Sequence, residues 1–504
     1  MAMPTSRRTD VADLGVLEAA QQLQSRQLSA VELLGACLRR VETRNGGVPT
    51  FDGAPGAVNA WVRLYPELAE KLARAADKRL DREGKNAPLV CGIPLALKDL
   101  YAVGGLPLTA SSRVLEGHIA SEDCEAWARL RARGMVVVGH THTHEFAAGG
   151  TTDQVGNPWS LDRSAGGSSG GSAAALAARM VPAAVGTDTL GSLRIPSAFC
   201  GTSAIKATHG RVPIAGIVPL APTLDHAGPL ARTVADCSAL LVALAGDGPE
   251  VSPLLPPPAR LGELPLGPRA TATPLAGLTI ALTDRPGRQR LDPDVGDGLE
   301  AARSACERLG ARVVERPAPK ELPGEAMSAV LLAEMAVLHR QYADRVDHYR
   351  PAIRELVDAT RTASDAATYI RAQERRAAFT AEWENWFADH DVDLVLEPTV
   401  PLVAHVRGKG YERGHAGGEG DPLIAFSSTW DLTGFPVAAL PAAVGRRTGL
   451  PVGISLVAPR GAESPLVQAA IDLQEHALPP PHPTAPPPSV PVHRMDTHSQ
   501  RQAR

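Results

Sequence analysis

Two serines that could act as nucleophiles lie in a stretch crowded with glycine and alanine. Ser168 and Ser192 both belong to residues 165–201, which read AGGSSGGSAAALAARMVPAAVGTDTLGSLRIPSAFCG. A serine hydroxyl is a weak nucleophile unless a neighbouring base takes its proton, yet neither serine has a histidine at a spacing familiar from Ser-His-Asp triads. The GxxxxGK(S/T) and GxGxxG spacings of phosphate-binding loops are also absent. If the stretch is catalytic, its base must be another kind of residue.

The elements around this stretch alternate between strands and helices. Residues 92–99, GIPLALKD, predict a buried strand with a single lysine, Lys98, near its end. Residues 277–314 predict a strand, a helix and a second strand, because apolar residues recur there at helical spacing between two β-type runs. Further strands are predicted at residues 393–398, 436–441 and 451–457. This alternation predicts an α/β/α layered fold around a mostly parallel or mixed sheet.

Composition argues against several classes of protein. The 504 residues carry a formal net charge of −4, which gives no general attraction to nucleic acid or to anionic membranes. No apolar run is long enough to span a bilayer. The six cysteines are scattered singly, which predicts reduced, buried thiols. We therefore expect a cytoplasmic protein without a nucleic-acid or membrane partner.

The glycine-rich stretch resembles the signature of the amidase signature family of serine hydrolases. GIPLALKDL resembles the lysine strand of that family, THTHEFAAGGTTDQVGNPW its run before the signature, and TGFPVAALPAAVGRRTGLPVGISLVAP its closing strands. Such features cover most of the chain, from about residue 16 to about residue 475. The resemblance implies an α/β/α sandwich with a large twisted mixed β-sheet covered by helices.

The resemblance also implies a Ser–cis-Ser–Lys triad, in which Ser192 is the nucleophile, Ser168 the bridging serine and Lys98 the base. The residue types suit these roles. Burial at the end of an apolar strand removes hydration from Lys98, which lowers its pKa and favours the neutral amine. Ser168 can then accept the proton of Ser192 while it donates its own to Lys98, and the reverse transfer protonates the departing amine. No cofactor is required.

Further residues of the signature and its surroundings are expected to complete the site. The backbone amides expected to bind the oxyanion belong to Thr189, Leu190, Gly191 and Ser192. Leu190 stands where the family usually has glycine, which predicts a modified acyl pocket. The residues expected to support the loop are Ser169, Thr187, Asp188 and Arg194, with an Asp188–Arg194 pair as a brace. Phe146 and Ala147 are expected in the pocket wall.

The leading hypothesis is an amidohydrolase that cleaves linear C–N amide bonds through an acyl-enzyme on Ser192. It would release a carboxylic acid and ammonia or an amine from a small-molecule amide, as a monomer or a homodimer. An alternative is the amidase subunit of a tRNA-dependent amidotransferase, which resembles the same family and works in a complex that uses ATP and tRNA. The text THTHEF, in place of that branch's TNMDEF-like text, argues against it. A non-catalytic relative is disfavoured by the intact triad.

A metal-dependent amide hydrolase is a further alternative, because His140, His142 and His144 alternate along a predicted strand and could face one ion. No set of carboxylates and histidines elsewhere in the sequence completes such a site, so no metal is expected.

The expected domain organisation is simple. Residues 1–477 are expected to form a single amidase domain, with a lid or specificity region inserted at about residues 321–391. Residues 478–504 are rich in proline and lack a core-forming pattern, which predicts a disordered tail.

Overall fold

The structure, a computed structural model, describes residues 10–245, 261–285, 288–320, 324–361, 365–408 and 421–483. Its strands are Trp61–Leu64 (β1), Pro94–Lys98 (β2), Val136–Thr141 (β3), Gly156–Asn157 (β4), Ser160–Ser164 (β5), Ala183–Asp188 (β6), Ser203–Lys206 (β7), His226–Ala231 (β8), Thr279–Thr283 (β9), Arg312–Arg316 (β10), Leu394–Pro398 (β11), Val437–Val444 (β12) and Pro451–Val457 (β13). Strands β4 and β5 form a separate ribbon. The others form one eleven-stranded sheet in the order β1-β3-β2-β6-β8-β7-β12-β13-β11-β9-β10.

The helices occupy much of the remaining chain. The α-helices are Val16–Gln24 (α1), Ala30–Arg44 (α2), Pro66–Glu83 (α3), Glu125–Ala132 (α4), Gly170–Ala177 (α5), Arg194–Cys200 (α6), Val234–Leu244 (α7), Pro293–Arg308 (α8), Gly324–His339 (α9), Pro351–Thr360 (α10), Ala366–Asp389 (α11), Ser428–Leu432 (α12) and Glu463–His476 (α13). Short 3-10 helices lie at Val11–Asp13, Gly84–Asn86, Arg113–Leu115, Glu145–Ala147, Arg288–Arg290, Arg340–His348 and Pro422–Ile424.

The sheet is mixed. Strand β2 is parallel to both of its neighbours, β3 and β6, and β9 is parallel to β10 and β11. The other pairs are antiparallel. The parallel pairs β2/β3 and β9/β10 are connected through α4 and α8, because a parallel pair needs a crossover. The predicted α/β fold with a large mixed sheet covered by helices is confirmed, as is the strand–helix–strand unit of residues 277–314.

Two central strands bring the candidate residues to one edge of the sheet. All residues of β2 and β6 are buried, which suits their nearly continuous apolar sequences. The two strands are parallel, and Leu97 lies opposite Val185. Their C-terminal ends therefore meet, and Lys98 at the end of β2 lies beside Thr187 near the end of β6.

Small residues let α5 pack closely behind this edge. Every residue of α5 is buried. A Cβ on Gly171 would lie 2.5 Å from the backbone nitrogen of His142, so only glycine fits there. The Ser172 hydroxyl donates to the carbonyl oxygen of Val185 at 3.0 Å. The glycine and alanine of the signature thus serve tight packing against the sheet.

The predicted lid region and tail are described in part. Helices α9, α10 and α11 fall within residues 321–391, of which 321–323 and 362–364 lie outside the described residues. The predicted disordered tail lies outside them from residue 484 onward. In the part of the chain that the structure describes, no helix combines the length and the apolar content needed to cross a membrane. All six cysteines are buried and unpaired.

Candidate active site

Lys98 lies at the centre of the candidate site and is completely buried. Its Nζ donates to Ser168 Oγ at 2.7 Å and to Thr187 Oγ1 at 2.8 Å. Burial lowers the pKa of Lys98 from 10.5 to about 7, although the negative charges of Asp188 and Asp225 act in the opposite direction. A substantial fraction of Lys98 is therefore a neutral amine at neutral pH, which is the form that can accept a proton.

Ser168 is held by its backbone. The peptide bond between Gly167 and Ser168 is cis. A Cβ on Gly167 would lie 2.3 Å from the carbonyl oxygen of Thr151, which explains the glycine before the serine. The Ser168 carbonyl oxygen accepts hydrogen bonds from the His144 N–H at 3.0 Å and from Thr152 Oγ1 at 3.1 Å. These contacts fix the Ser168 hydroxyl in front of the lysine.

Ser192 contacts the serine pair, which consists of Ser168 and Ser169. The Ser169 N–H donates to the Ser192 carbonyl oxygen at 3.3 Å. The Ser169 hydroxyl donates to the carbonyl oxygen of Thr187 at 3.2 Å, which ties the pair to β6. Ser192 also lines a cavity. The structure thus brings Lys98, Ser168, Ser169, Thr187 and Ser192 together, although the first and the last are 94 positions apart in the sequence.

A buried ion pair braces the turn that carries Ser192. Asp188 accepts hydrogen bonds from the N–H groups of Gly191 and, at 3.1 Å, of Leu193, and from Arg194 Nε at 2.9 Å. Arg194 Nη2 also donates to Asp431 at 2.5 Å. Burial by itself would raise the pKa of Asp188, but the positive charge of Arg194 outweighs it and lowers the pKa to about 2. Asp188 and Arg194 therefore lie as a charged pair behind the turn.

Removing this guanidinium should destabilise the protein strongly. In Arg194→Met, Asp188 and Asp431 stay buried without their cation, so we expect the free energy of unfolding to fall by about 3–5 kcal/mol. Urea denaturation followed by circular dichroism measures this change. The control is Arg74→Met, which removes an exposed ion pair with Glu70 and should change little. An equal change in the two variants would contradict the bracing role.

The oxyanion turn differs from the expectation at Gly191. The N–H of Gly191, expected to bind the oxyanion, donates instead to the Asp188 carboxylate, which leaves the amides of Thr189, Leu190 and Ser192 as the candidate donors. The left-handed backbone of the turn falls at Gly191, with φ +128°, and not at Leu190. Leucine is therefore accommodated at position 190 without backbone strain.

Three residues that the sequence did not indicate hold this turn. Thr189 Oγ1 donates to Asp225 at 2.6 Å, and Ser427 Oγ donates to the Leu190 carbonyl oxygen at 2.5 Å. Asp431, the third, bonds to the guanidinium behind the turn. These partners come from the loop before β8, from the residue before α12 and from α12 itself. No local pattern marks them, because each acts on a turn that is distant in sequence.

A cavity of about 300 Å³ opens beside Ser192. Ala147, one of the two expected wall residues, lines it together with Leu190. Phe146 does not, and this expectation is wrong. Its ring is fully buried and packs against the rings of His339 and Tyr349, at centroid distances of 4.9 and 5.7 Å. Phe146 therefore joins the 145–147 turn to the helical region, which is residues 324–389 with helices α9, α10 and α11, and the Phe146 ring does not line the cavity.

The three alternating histidines contact different parts of the protein. His140 Nδ1 accepts from the hydroxyl of Tyr65 at 2.8 Å, His142 Nε2 donates to the carbonyl oxygen of Thr50 at 2.9 Å, and His144 Nδ1 lies 3.4 Å from the carbonyl oxygen of the next residue. Burial lowers the pKa of each ring, to about 4 for His142. Within the described ranges, no three His, Cys, Asp or Glu side chains are grouped so that they could hold a metal ion. The contacts of these histidines are those of a packed core.

Comparisons with known proteins place this geometry in a family. The Amidase family model matches residues 51–467. The A subunit of the glutamyl-tRNA(Gln) amidotransferase of Ralstonia nicotianae is 35% identical over 497 residues, which cover 90% of this chain and 96% of that relative. The crystal structure of the corresponding protein from Thermotoga maritima is similar with a TM-score of 0.74 and 25% identity, over 95% of this chain and 99% of that chain. The peptide amidase of Stenotrophomonas maltophilia gives a TM-score of 0.76 and 26% identity, over 94% and 99%.

The first two relatives correct one expectation. Their name includes a tRNA, which contradicts the expectation that this chain has no nucleic-acid partner. That expectation came from the net charge of −4, which averages over the whole chain and does not describe any particular surface or complex. The signature, the mixed sheet and the family match agree with one another. The chain belongs to the amidase family, whose members act on C–N bonds.

Proposed function

We propose that this chain cleaves the C–N bond of an amide through an acyl-enzyme on Ser192. The observation that carries the proposal is the 2.7 Å hydrogen bond from the buried Lys98 amine to the hydroxyl of Ser168, beside the turn that carries Ser192. A buried lysine with a pKa of about 7 can act as a general base without histidine.

The reaction follows from the order of these groups. Ser168 passes its proton to Lys98 as it takes the proton of Ser192, and Ser192 Oγ forms a bond to the amide carbonyl carbon. The negative charge that develops on the carbonyl oxygen is stabilised by the candidate donors of the turn, the N–H groups of Thr189, Leu190 and Ser192. The proton then returns from Lys98 through Ser168 to the amide nitrogen, and the C–N bond breaks. An ester of Ser192 remains, and water releases the acid from it by the same proton path.

The similarity to glutamyl-tRNA(Gln) amidotransferase subunits makes that complex the better-supported setting. It extends over nearly the whole length of both chains. In this setting the ammonia released from the substrate as Ser192 is acylated would be transferred to a glutamyl-tRNA inside a complex, so the substrate would be a primary amide. This reading replaces the free-standing hydrolase as the first candidate.

Complementation tests this setting directly. A bacterial strain depleted of the corresponding subunit of its own amidotransferase should regain growth when it expresses the wild-type chain and should not when it expresses Ser192→Ala at the same level. The host's own subunit, supplied in the same way, is the positive control. Failure of the wild-type chain, although it is expressed and folded, would contradict the assignment to this complex.

A free-standing amidohydrolase is the second candidate, favoured by the apolar walls of the cavity beside Ser192. In that case the purified chain alone should release ammonia or an amine from small amides. Activity on amides without partners, together with failed complementation, would select this candidate.

A further inference from the structure

We infer that the cavity beside Ser192 is an acyl pocket that selects amides with an apolar, uncharged acyl group, and that Leu190 helps to set this preference. The inference rests on the proposed amide cleavage at Ser192. It adds the chemical class of the substrate, which neither the triad nor the family determines.

The first argument is the composition of the wall. Seven aliphatic or thioether side chains surround the cavity, contributed by the turn that carries Ser192, α6, the loop before β8, helices α9 and α10, and the segment before α12. They are Leu190, Ile195, Leu220, Leu331, Met335, Leu356 and Ile424. Such a wall binds CH₂ and CH₃ groups by removing apolar surface from water, and each buried methylene should raise kcat/KM roughly three- to four-fold.

The second argument is the charge of the wall. Among the described residues that line the cavity, Asp421 is the one charged side chain, and it already accepts a hydrogen bond from the Leu423 N–H at 2.9 Å. None of the described lining residues is a lysine, arginine or histidine. Among these described residues a substrate carboxylate would meet another carboxylate and no cation to offset its desolvation, which is unfavourable.

The third argument is the fixed position of Leu190. Ser427 Oγ donates a hydrogen bond of 2.5 Å to the Leu190 carbonyl oxygen, and this bond fixes the backbone of Leu190. The side chain is half-buried and lines the cavity next to Ser192. Leucine at this position therefore takes up volume next to the reacting carbonyl and adds apolar surface there. It makes the pocket narrower and more apolar than glycine would.

The test compares primary amides on the purified full chain by ammonia release. From acetamide through butanamide to hexanamide, kcat/KM should rise by roughly three- to four-fold per methylene until the pocket is filled. Succinamate and glutamine, which carry carboxylates, should be at least about 100-fold poorer than butanamide. N-Butylacetamide is a secondary amide with its methylenes on nitrogen, and its cleavage, followed by acetate release, should show no such gain over acetamide. Faster cleavage of succinamate or glutamine than of butanamide would overturn the inference.

Two variants probe the wall itself. Leu190→Gly should lower the ratio of kcat/KM for hexanamide to that for acetamide by about 10-fold, because it removes apolar contact near the carbonyl. Leu356→Lys, at a half-buried position of the wall, should raise the ratio for succinamate to hexanamide. Val337→Lys is the matched control, since Val337 is 70% exposed on α9 and should leave both ratios unchanged. Unchanged ratios in both wall variants would also overturn the inference.

Binding separates this inference from the proposed chemistry. Ser192→Ala should bind hexanamide more tightly than acetamide or succinamate in calorimetric titrations. If this order holds but the wild-type chain cleaves no amide, the pocket assignment stands and the proposed function fails. If the wild-type chain cleaves succinamate or glutamine best, the proposed function stands and the pocket assignment fails.

Discussion

Ser192→Ala is expected to reduce kcat for amide cleavage by roughly a million-fold, because the acyl-enzyme can no longer form. Ammonia release from hexanamide measures the loss. A fluorophosphonate probe provides a second readout, since it should label the wild-type chain at Ser192 and leave the variant unlabelled. The loss should appear in kcat, whereas binding of the amide should persist, because the cavity walls are unchanged.

The control for this variant is Ser197→Ala. Ser197 lies in α6, five residues after Ser192, and is also buried, but its hydroxyl has no hydrogen-bond partner among the described residues. The substitution is the same and the neighbourhood is the same, so only the position of the hydroxyl differs. We expect near-wild-type activity from Ser197→Ala. If both variants lost activity together, or if Ser192→Ala kept its rate, Ser192 would not be the nucleophile.

Lys98→Met is expected to lower kcat/KM by about 10⁴-fold, because it removes the base that accepts the proton of Ser168. The pH profile identifies the base independently. Lys98 acts as the neutral amine, so lowering the pH below its pKa of about 7 should reduce kcat/KM of the wild-type chain about ten-fold per pH unit, with a plateau at higher pH. The residual activity of Lys98→Met should lack this inflection.

A second buried lysine serves as the control for that profile. Burial also lowers the pKa of Lys206 to about 7, but its Nζ donates to the Phe435 carbonyl oxygen at 2.6 Å and lies 3.2 Å from His226 Nε2, so its hydrogen-bond partners differ from those of Lys98. Lys206→Met should therefore keep the inflection near pH 7. If the inflection disappeared in Lys206→Met and persisted in Lys98→Met, the base would have to be reassigned.

The two candidate settings make different demands on the cavity. A subunit of an amidotransferase needs a primary amide as nitrogen donor, and the relatives favour this setting. The apolar wall favours an amide without a carboxylate. Complementation and the amide panel address these points separately, so together they decide between the candidates.

Much of the fold could be predicted from the sequence, because its signals are local. The alternation of short apolar runs with helical periodicity was sufficient for an α/β fold, and residues 277–314 gave a strand, a helix and a strand close to the observed β9, α8 and β10. The resemblance of the signature and of the lysine strand was sufficient to propose Lys98, Ser168 and Ser192, since a family resemblance is carried by residue types at fixed spacing. Hydrophobic periodicity and spacing require no knowledge of distant contacts.

The sequence by itself thus determined the fold class, the family and the residues of the proposed triad. Only the tertiary structure decided that Gly191 gives its N–H to Asp188, that Phe146 packs away from the cavity, and that Asp225 holds the nucleophile turn. It also decided that the helical region, which begins more than 130 residues after Ser192, supplies Leu331 and part of the cavity wall. The physical reason is that a hydrogen bond or a packed wall depends on which distant segments meet, and on the direction of each donor, and a local pattern contains neither.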